Sequence, residues 1–382
     1  MAGIYIHIPF CKRACHYCNF HFSTSLKSKQ EMIGAIVKEI SLTPSRSFGQ
    51  VENIETLYFG GGTPSILDIA DLRAIFEALQ KKFAFTVDIE INLEANPDDI
   101  TVLKLQEWKR LGINRLSVGI QSFADEELEW MNRAHTAAES MVCIDRIREA
   151  GFVNFSVDLI YGSPLLSDAG WAQNMETVIE KKIPHISAYA LTVEPNTALD
   201  KMIALKKKAP VDAEKQARQF SALMDRMEKA GYEHYEISNF SLPGMRSRHN
   251  SSYWSRTADG SGKKYYGFGP SAHSFDGKSR RWNIANNALY LRSLQENTIP
   301  FEEEVLTGTQ QLNEYIMTSL RTMEGLDLNL IKEIFGEAFE KKLEMGSEKW
   351  QAGGKLLLNG SNLILTREGK LFADGIASDL FF

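Results

Sequence analysis

The chain has 382 residues, is 43% hydrophobic, sets 43 Lys and Arg against 49 Asp and Glu for a net charge of -6, and contains only four cysteines. That is enough apolar mass for a core without disulfide staples, and no overall basic excess draws the chain to nucleic acid. Nothing ahead of Gly3 reads as a targeting peptide, and no apolar run approaches the roughly 18 residues of a membrane-spanning helix, so the expected compartment is the reducing cytoplasm.

The first element is GIYIHI, Gly3 to Ile8, an apolar segment that reads as a strand. It runs into HIPFCKRACHYCNFHF, where Cys11, Cys15 and Cys18 stand in the spacing C-x3-C-x2-C. Closely spaced thiolates in a reducing compartment hold a metal or do redox chemistry. A structural zinc would take a fourth ligand, and His16 or His21 could supply it. Three soft thiolates also suit an iron-sulfur cluster with one iron left open. His7 reads as structural.

Further strands end ETLYFGG at Gly61, DIEINLEAN at Asn96, RLSVGIQSF at Phe123, NFSVDLIYG at Gly162 and HISAYALTVE at Glu194. Between them lie segments of helical period: KQEMIGAIVKEI, ADLRAIFEALQKKF, TVLKLQEWKRLG, SMVCIDRIREAG and GWAQNMETVIEKK. This βα repetition predicts an α/β fold with six parallel strands, curled as an open six-stranded (β/α) partial TIM barrel, its chemistry at the C-terminal rim. GGGTPS, Gly60 to Ser65, lets backbone approach a ligand or simply turns into the next helix. Glu94, Gln121, Arg133 and Asp158 lie at or near strand ends, where a charged or polar group asks for a ligand or a salt bridge. Cys143 lies among apolar residues at helical spacing and reads as buried and inert.

The C-x3-C-x2-C loop after a first strand, with GGGTPS at the second, resembles the radical S-adenosylmethionine superfamily. That resemblance implies a 4Fe-4S cluster on Cys11, Cys15 and Cys18 and S-adenosylmethionine at its open iron. It implies cofactor contacts from Tyr5, Gly61, Thr63, Glu94, Gln121, Arg133 and Asp158, with Ala190 a further candidate and Arg133 facing the carboxylate. YIHIPFC, GGGTPS, GIQSF and DLIYG together are similar to the coproporphyrinogen dehydrogenase (HemN) group over nearly the whole chain. The dehydrogenases of that group carry a fourth cysteine, C-x3-C-x2-C-x-C, and a longer preceding segment. Here Phe20 stands in place of that cysteine and Cys11 lies near the start. Both departures point to the HemW-type haem chaperones, although Asn19 stands where that branch commonly has Asp.

HNSSYW, His249 to Trp254, followed by YYGFGPSAHSF, matches the HNxxYW signature of the HemW branch. The resemblance implies haem binding near His249: an imidazole can ligate iron and Tyr253 and Trp254 can pack on the macrocycle, while His273 is a second ligand candidate. The implied function is a haem chaperone that passes haem to acceptor proteins, those of the respiratory chain among them, with peripheral membrane association and a homodimer as further expected associations. The alternative is an oxygen-independent coproporphyrinogen III dehydrogenase, and the resemblance implies the capacity to cleave S-adenosylmethionine in either case.

After the barrel come the helical VDAEKQARQFSALMDRMEKAGY and a strand, YEHYEISNF. From about Leu306 three helix-like stretches, a hairpin around Asn359 to Asn362 and a last helix over REGKLFADGIASDLF predict a small C-terminal winged-helix-like domain. Its interspersed charges argue against a DNA-reading role. The expected organisation is a barrel over residues 1–240, the HNxxYW region and connector over 241–305, and the C-terminal domain over 306–382.

Overall fold

The computed structural model describes residues 2–44, 46–47, 50–257 and 261–382. Six strands run parallel as neighbours in chain order: β1 (Ala2–Ile8), β2 (Asn53–Gly61), β3 (Ala84–Ala95), β4 (Arg115–Gln121), β5 (Phe155–Tyr161) and β6 (His185–Ala190). Their alternation sets the layers: Ile4, Ile6 and Ile8 of β1 are fully buried in the main core, while Tyr5 and His7 point to the other face. Helices Lys29–Leu42, Ile69–Lys82, Val102–Arg110, Ala137–Glu149 and Asp168–Glu180 fall between the strands, as the helical periods predict.

β1 and β2 end at Ile8 and Gly61 as expected, while the later four strands stop earlier than the sequence suggests. β4 stops at Gln121 because that residue turns into the left-handed region at φ 70°, and β6 stops at Ala190. The stretch expected as one strand, YEHYEISNF, folds instead as two short antiparallel strands, Glu233–Glu236 and Asn239–Ser241, the second pairing with β6. On the opposite edge Tyr265–Phe268 pairs parallel with β1, from Gly3 beside Tyr265 to Ile6 beside Phe268. His273–Phe275, Ser279–Asn283 and Phe301–Val305 then extend the sheet antiparallel, making one mixed sheet of 12 strands.

The C-terminal segment has its own core, built from Leu312, Ile316, Leu326, Ile331, Leu363 and Ile376 among others. Helices Gly308–Leu320, Leu328–Phe335 and Glu337–Ala352 precede the hairpin Leu356–Asn359/Asn362–Leu365, as expected. The expected last helix is broken: a short 3-10 turn, Gly369–Phe372, precedes Ala373–Asp379. This unit is tied to the sheet edge by backbone bonds from Ile237 N–H to Arg321 O and from Met323 N–H to Tyr235 O, and by Arg321 against buried Glu236 at 3.0 Å.

A second tie is the carboxylate of Glu39, fully buried on helix Lys29–Leu42. It accepts from the Gly269 backbone N–H at 2.8 Å, Asn283 Nδ2 at 2.6 Å and Tyr290 Oη at 2.5 Å, joining the sheet extension to the first helix. Burial raises its pKa to about 7. Glu39→Ala should therefore leave three donors unpaired and lower stability by about 2 kcal/mol or more. Because the folded chain holds this proton more tightly than the unfolded chain, the associated stability is full at acidic pH and falls as pH rises through about 7. Chemical denaturation between pH 5 and 8 checks both, and Glu39→Gln should flatten that fall.

Candidate functional site

The C-terminal ends of the parallel strands surround a cavity of about 410 Å³. The cysteine loop leaves β1 and is clamped to the glycine turn after β2. Gly62 N–H donates to Ile8 O at 2.8 Å and Thr63 N–H to Phe10 O at 2.7 Å. A Cβ on Gly62 would sit 2.5 Å from Phe10 O, and one on Gly61, at φ 102°, would sit 2.7 Å from the His7 ring. The glycines thus admit the loop's own backbone to the turn.

Cys11, Cys15 and Cys18 all line the cavity, together with Gly61, Thr63, Glu94, Gln121, Arg133, Asp158 and Ala190. Of the residues assigned to it from sequence, Tyr5 is the one that does not line it: it stands beside Tyr58, its register partner on the neighbouring strand, the rings stacked at 6.0 Å and its hydroxyl 3.2 Å from His7 Nδ1. Tyr17, Tyr58, Asn96, Ser117, Ser187 and Asn250 also line the cavity and were not read from the sequence. Tyr58 carried a legible signal, a phenol two residues before Gly60 on the same face of β2.

The charged groups around the cavity are short of counter-charges. Arg133 reaches Gly119 O at 2.6 Å, Asn96 Oδ1 at 2.8 Å and Cys15 Sγ at 3.3 Å, and its enclosed Nε finds no hydrogen-bond partner among the described residues. Gly119 leaves room for it, since a Cβ there would lie 3.1 Å from Arg133 Nη2. Glu94 accepts from Tyr58 Oη at 2.7 Å, and removal from bulk water, helped by Asp158, raises it to about 8. Asp158 meets Ser117 Oγ at 3.3 Å and is raised to about 6 by the same removal. Burial also pushes the Cys11 thiol up to about 11 and raises Cys18.

Zinc ligation fits poorly. His16 Nδ1 lies 2.9 Å from Trp130 O and His21 Nε2 lies 2.7 Å from Asn287 Oδ1, so each imidazole has one ring nitrogen engaged. No three His, Cys, Asp or Glu side chains among the described residues are gathered to hold a single metal ion. A cluster, whose irons stand apart, takes its thiolates from a wider ring. Cys143 is fully buried, its thiol raised to about 12 by burial, with Sγ on Ser140 O at 3.1 Å.

Residues 5–178 match the Radical SAM superfamily and residues 306–372 the HemN C-terminal domain. The heme chaperone HemW of Bacillus subtilis (strain 168) is 31% identical over 98% of this chain and 98% of its own length. The chain belongs to the HemW-type family of the radical S-adenosylmethionine superfamily. The heme chaperone HemW of Mycobacterium tuberculosis (strain ATCC 25618 / H37Rv) is 30% identical, covering 99% of this chain and 94% of its own. In fold, coproporphyrinogen III oxidase (HemN) from Escherichia coli superposes with a TM-score of 0.85 at 22% identity, over 99% of this chain and 89% of that one. No helix among the described residues is long and apolar enough to cross a membrane.

The family's HNxxYW signature forms the helix Arg248–Trp254. The Glu90 carboxylate accepts from Arg248 N–H at 3.1 Å and His249 N–H at 2.9 Å, and fixes its start. His249 is 1% exposed. Its Nδ1 lies 2.8 Å from Thr56 Oγ1, its Nε2 3.0 Å from Tyr253 Oη, and its ring stacks on Tyr58 at 4.9 Å. Burial lowers its pKa to about 3, which keeps the ring neutral. His273 is exposed and stacks on Trp282 at 6.2 Å.

The raised Glu94 means that native protein without ligand carries a penalty that grows as pH climbs from the usual carboxylate range through about 8. Glu94→Gln should raise the thermal midpoint at pH 8.5, leave it nearly unchanged at pH 4.5, and weaken S-adenosylmethionine binding. Scanning calorimetry at the two pH values and a binding titration check this.

Proposed function

We propose that this protein is a haem chaperone that carries a 4Fe-4S cluster on Cys11, Cys15 and Cys18, binds S-adenosylmethionine beside it, and passes haem to acceptor proteins such as those of the respiratory chain. The observation that carries the proposal is the HNSSYW helix, which stands between the cysteine cavity, through Asn250, and a second cavity lined by Tyr253 and Trp254. Curated relatives of nearly the same length bearing the name heme chaperone support it.

We read the six parallel strands as an open partial barrel and the C-terminal unit as winged-helix-like, over the expected divisions at residues 1–240, 241–305 and 306–382. When bound, the cluster and S-adenosylmethionine supply one-electron cleavage to methionine and a 5'-deoxyadenosyl radical. The chain's part is to bind and orient. Cys11, Cys15 and Cys18 would hold the cluster through three of its irons and leave one open to the amino acid end of the cofactor. Gly61 and Thr63 would meet the cofactor's amino group, and Arg133, whose Nε has no partner among the described residues, would suit its carboxylate. Glu94, Asp158 and Gln121 offer acceptors to hydroxyl and amino groups, and Ala190 borders the apolar part of the ligand. Tyr5 acts through Tyr58, holding the phenol that bonds Glu94.

The second reading is a coproporphyrinogen III dehydrogenase, favoured by the overall likeness of fold to HemN. Against it stands Phe20, 67% exposed on the cavity lining where the dehydrogenases carry a further cysteine. Anaerobic reconstitution followed by a haem titration and a porphyrinogen assay on the same sample separates the two. The expected result is haem binding without porphyrinogen consumption; consumption without haem binding would replace the chaperone reading with the enzyme. In the same preparations Cys15→Ala should abolish the broad visible absorption of the cluster and Cys143→Ala should retain it, whereas stoichiometric zinc with no iron uptake would overturn the cluster assignment.

A further inference from the structure

The cysteine loop, the GGGTPS turn and the LEANP turn are joined by a chain of polar side chains, and Asp99 is its hub. Asp99 ends the short 3-10 turn Pro97–Asp99 that follows β3 and is 4% exposed. Its Oδ2 accepts from Ser65 Oγ at 2.7 Å, while its Oδ1 is paired with Lys12 Nζ and lies 3.7 Å from Lys104 Nζ. Ser65 is fully buried. Its Oγ accepts from the Asn96 backbone N–H at 3.2 Å, and its carbonyl accepts from Lys104 Nζ at 2.6 Å. Asn96 Oδ1 then accepts from Arg133 Nη2 at 2.8 Å, and Arg133 Nη1 reaches Cys15 Sγ at 3.3 Å. The chain thus leaves the cysteine loop at Lys12, the residue after Cys11, and returns to it at Cys15.

Asn96, Arg133 and Cys15 line the cavity, whereas Lys12, Ser65 and Asp99 do not. Asp99 therefore acts on anything bound there only through its neighbours. The charges are arranged to match. Lys12 meets Asp98 at 2.6 Å as well as Asp99, so two lysines balance two carboxylates behind the lining. Arg133 receives order from this chain but no counter-charge, because it meets the Asn96 amide, the Gly119 carbonyl, the Cys15 thiol and the Tyr17 phenol, and no carboxylate among the described residues. A guanidinium held in place by such partners keeps its charge for a carboxylate brought by a ligand.

We propose that Asp99 is a positioning residue for S-adenosylmethionine: by fastening Lys12 and Ser65 it fixes Arg133 against the cysteine loop, so that one frame orients both the carboxylate site and the thiols. The inference rests on the cluster and S-adenosylmethionine assignment made above. Alanine at position 99 removes the acceptor for Ser65 and the counter-charge for Lys12 together, and so releases Asn96 and the guanidinium it holds. Asparagine keeps an acceptor for Ser65 and loses only the charge.

The test uses the full chain with its cluster reconstituted. Equilibrium titration compares S-adenosylmethionine with its decarboxylated analogue, which lacks the group that Arg133 faces. Wild type should prefer S-adenosylmethionine by about tenfold or more. Asp99→Ala should weaken S-adenosylmethionine about tenfold and the analogue less than about twofold, with Asp99→Asn in between. Lys12→Met should also narrow the preference, and the double variant should lose no more than Asp99→Ala alone, since both changes break one chain. Iron content and cluster absorption should be retained throughout. Asp99→Asn and Lys12→Met carry the comparison if the alanine variant does not fold. Equal losses for the two ligands would make Asp99 merely structural and overturn the proposal, as would multiplied losses in the double variant. If wild type binds both ligands equally, Arg133 does not read the carboxylate, and this inference falls while the cluster assignment stands. If wild type takes up the cluster and binds neither ligand, the cofactor assignment fails and this inference with it.

Discussion

Two backbone hydrogen bonds hold the site together: Gly62 N–H to Ile8 O and Thr63 N–H to Phe10 O. They fasten the end of one central strand to the end of its neighbour and so fix where the cysteine loop leaves the sheet. Only a residue without a side chain allows this approach at Gly62. The loop is then tied at its far side: His16 N–H donates to Met131 O and Asn132 Nδ2 to Ala14 O at 2.8 Å, which brings the following residue, Arg133, to Cys15. The three thiols are thus positioned by main chain on two sides. Under the proposed cluster assignment, a metal arriving at this loop would meet thiols whose backbone is already ordered and would mainly have to displace protons that burial has made tight on Cys11 and Cys18.

The same rim stores electrostatic cost. Glu94 meets the Tyr58 hydroxyl and the Gly61 backbone, Asp158 meets the Ser117 hydroxyl, and Arg133 leaves one N–H unmatched among the described residues. Groups of this kind destabilise a chain that keeps them empty-handed and reward a zwitterionic ligand that matches them. The surrounding scaffold bears that cost through a large continuous core running from Ile4 on β1 to Met227 beyond the last parallel strand. Stability and binding are therefore set against each other at Glu94 more directly than anywhere in the apolar layers.

Much of this was legible in the sequence because it is periodic or punctuated. The six parallel strands follow from apolar, β-prone runs separated by segments of helical period, and the terminal hairpin from Asn359 and Asn362 flanking Gly360. Glu94, Gln121 and Asp158 could be placed on one cavity because each lies at or near the C-terminal end of its strand and parallel strands bring their ends together, whereas Arg133 lies beyond the helix Asp125–Trp130 and only the resemblance assigns it there. What escaped depends on long-range pairing. Tyr265–Phe268 joins β1 across more than two hundred residues of chain, and no local pattern announces such a partner. YEHYEISNF splits at Ile237 and Ser238, where Arg321 and Glu236 take up the backbone N–H groups. The resemblance assigns Tyr5 to the cavity; the alternation of β1 turns it to the same face as Tyr58, its register partner, and it stands beside that ring without joining the lining.

The HNSSYW segment changes meaning most between sequence and structure. Along the chain it lies far from the cysteine loop, which suggests two independent sites. In the fold Asn250 reaches the cysteine cavity and Tyr253, less than one helical turn on, reaches the other. Between them His249 stacks on Tyr58, and Tyr58 donates to Glu94. A ligand that pulled on Tyr253 would act on a ring that is hydrogen-bonded at both nitrogens and packed face to face against the phenol that donates to Glu94. Such a ring cannot turn without breaking one of those bonds or the stack, so it either holds both cavities in their present shape or shifts both together. The separation of two motifs in sequence is no measure of their independence when one short helix forms the wall between them.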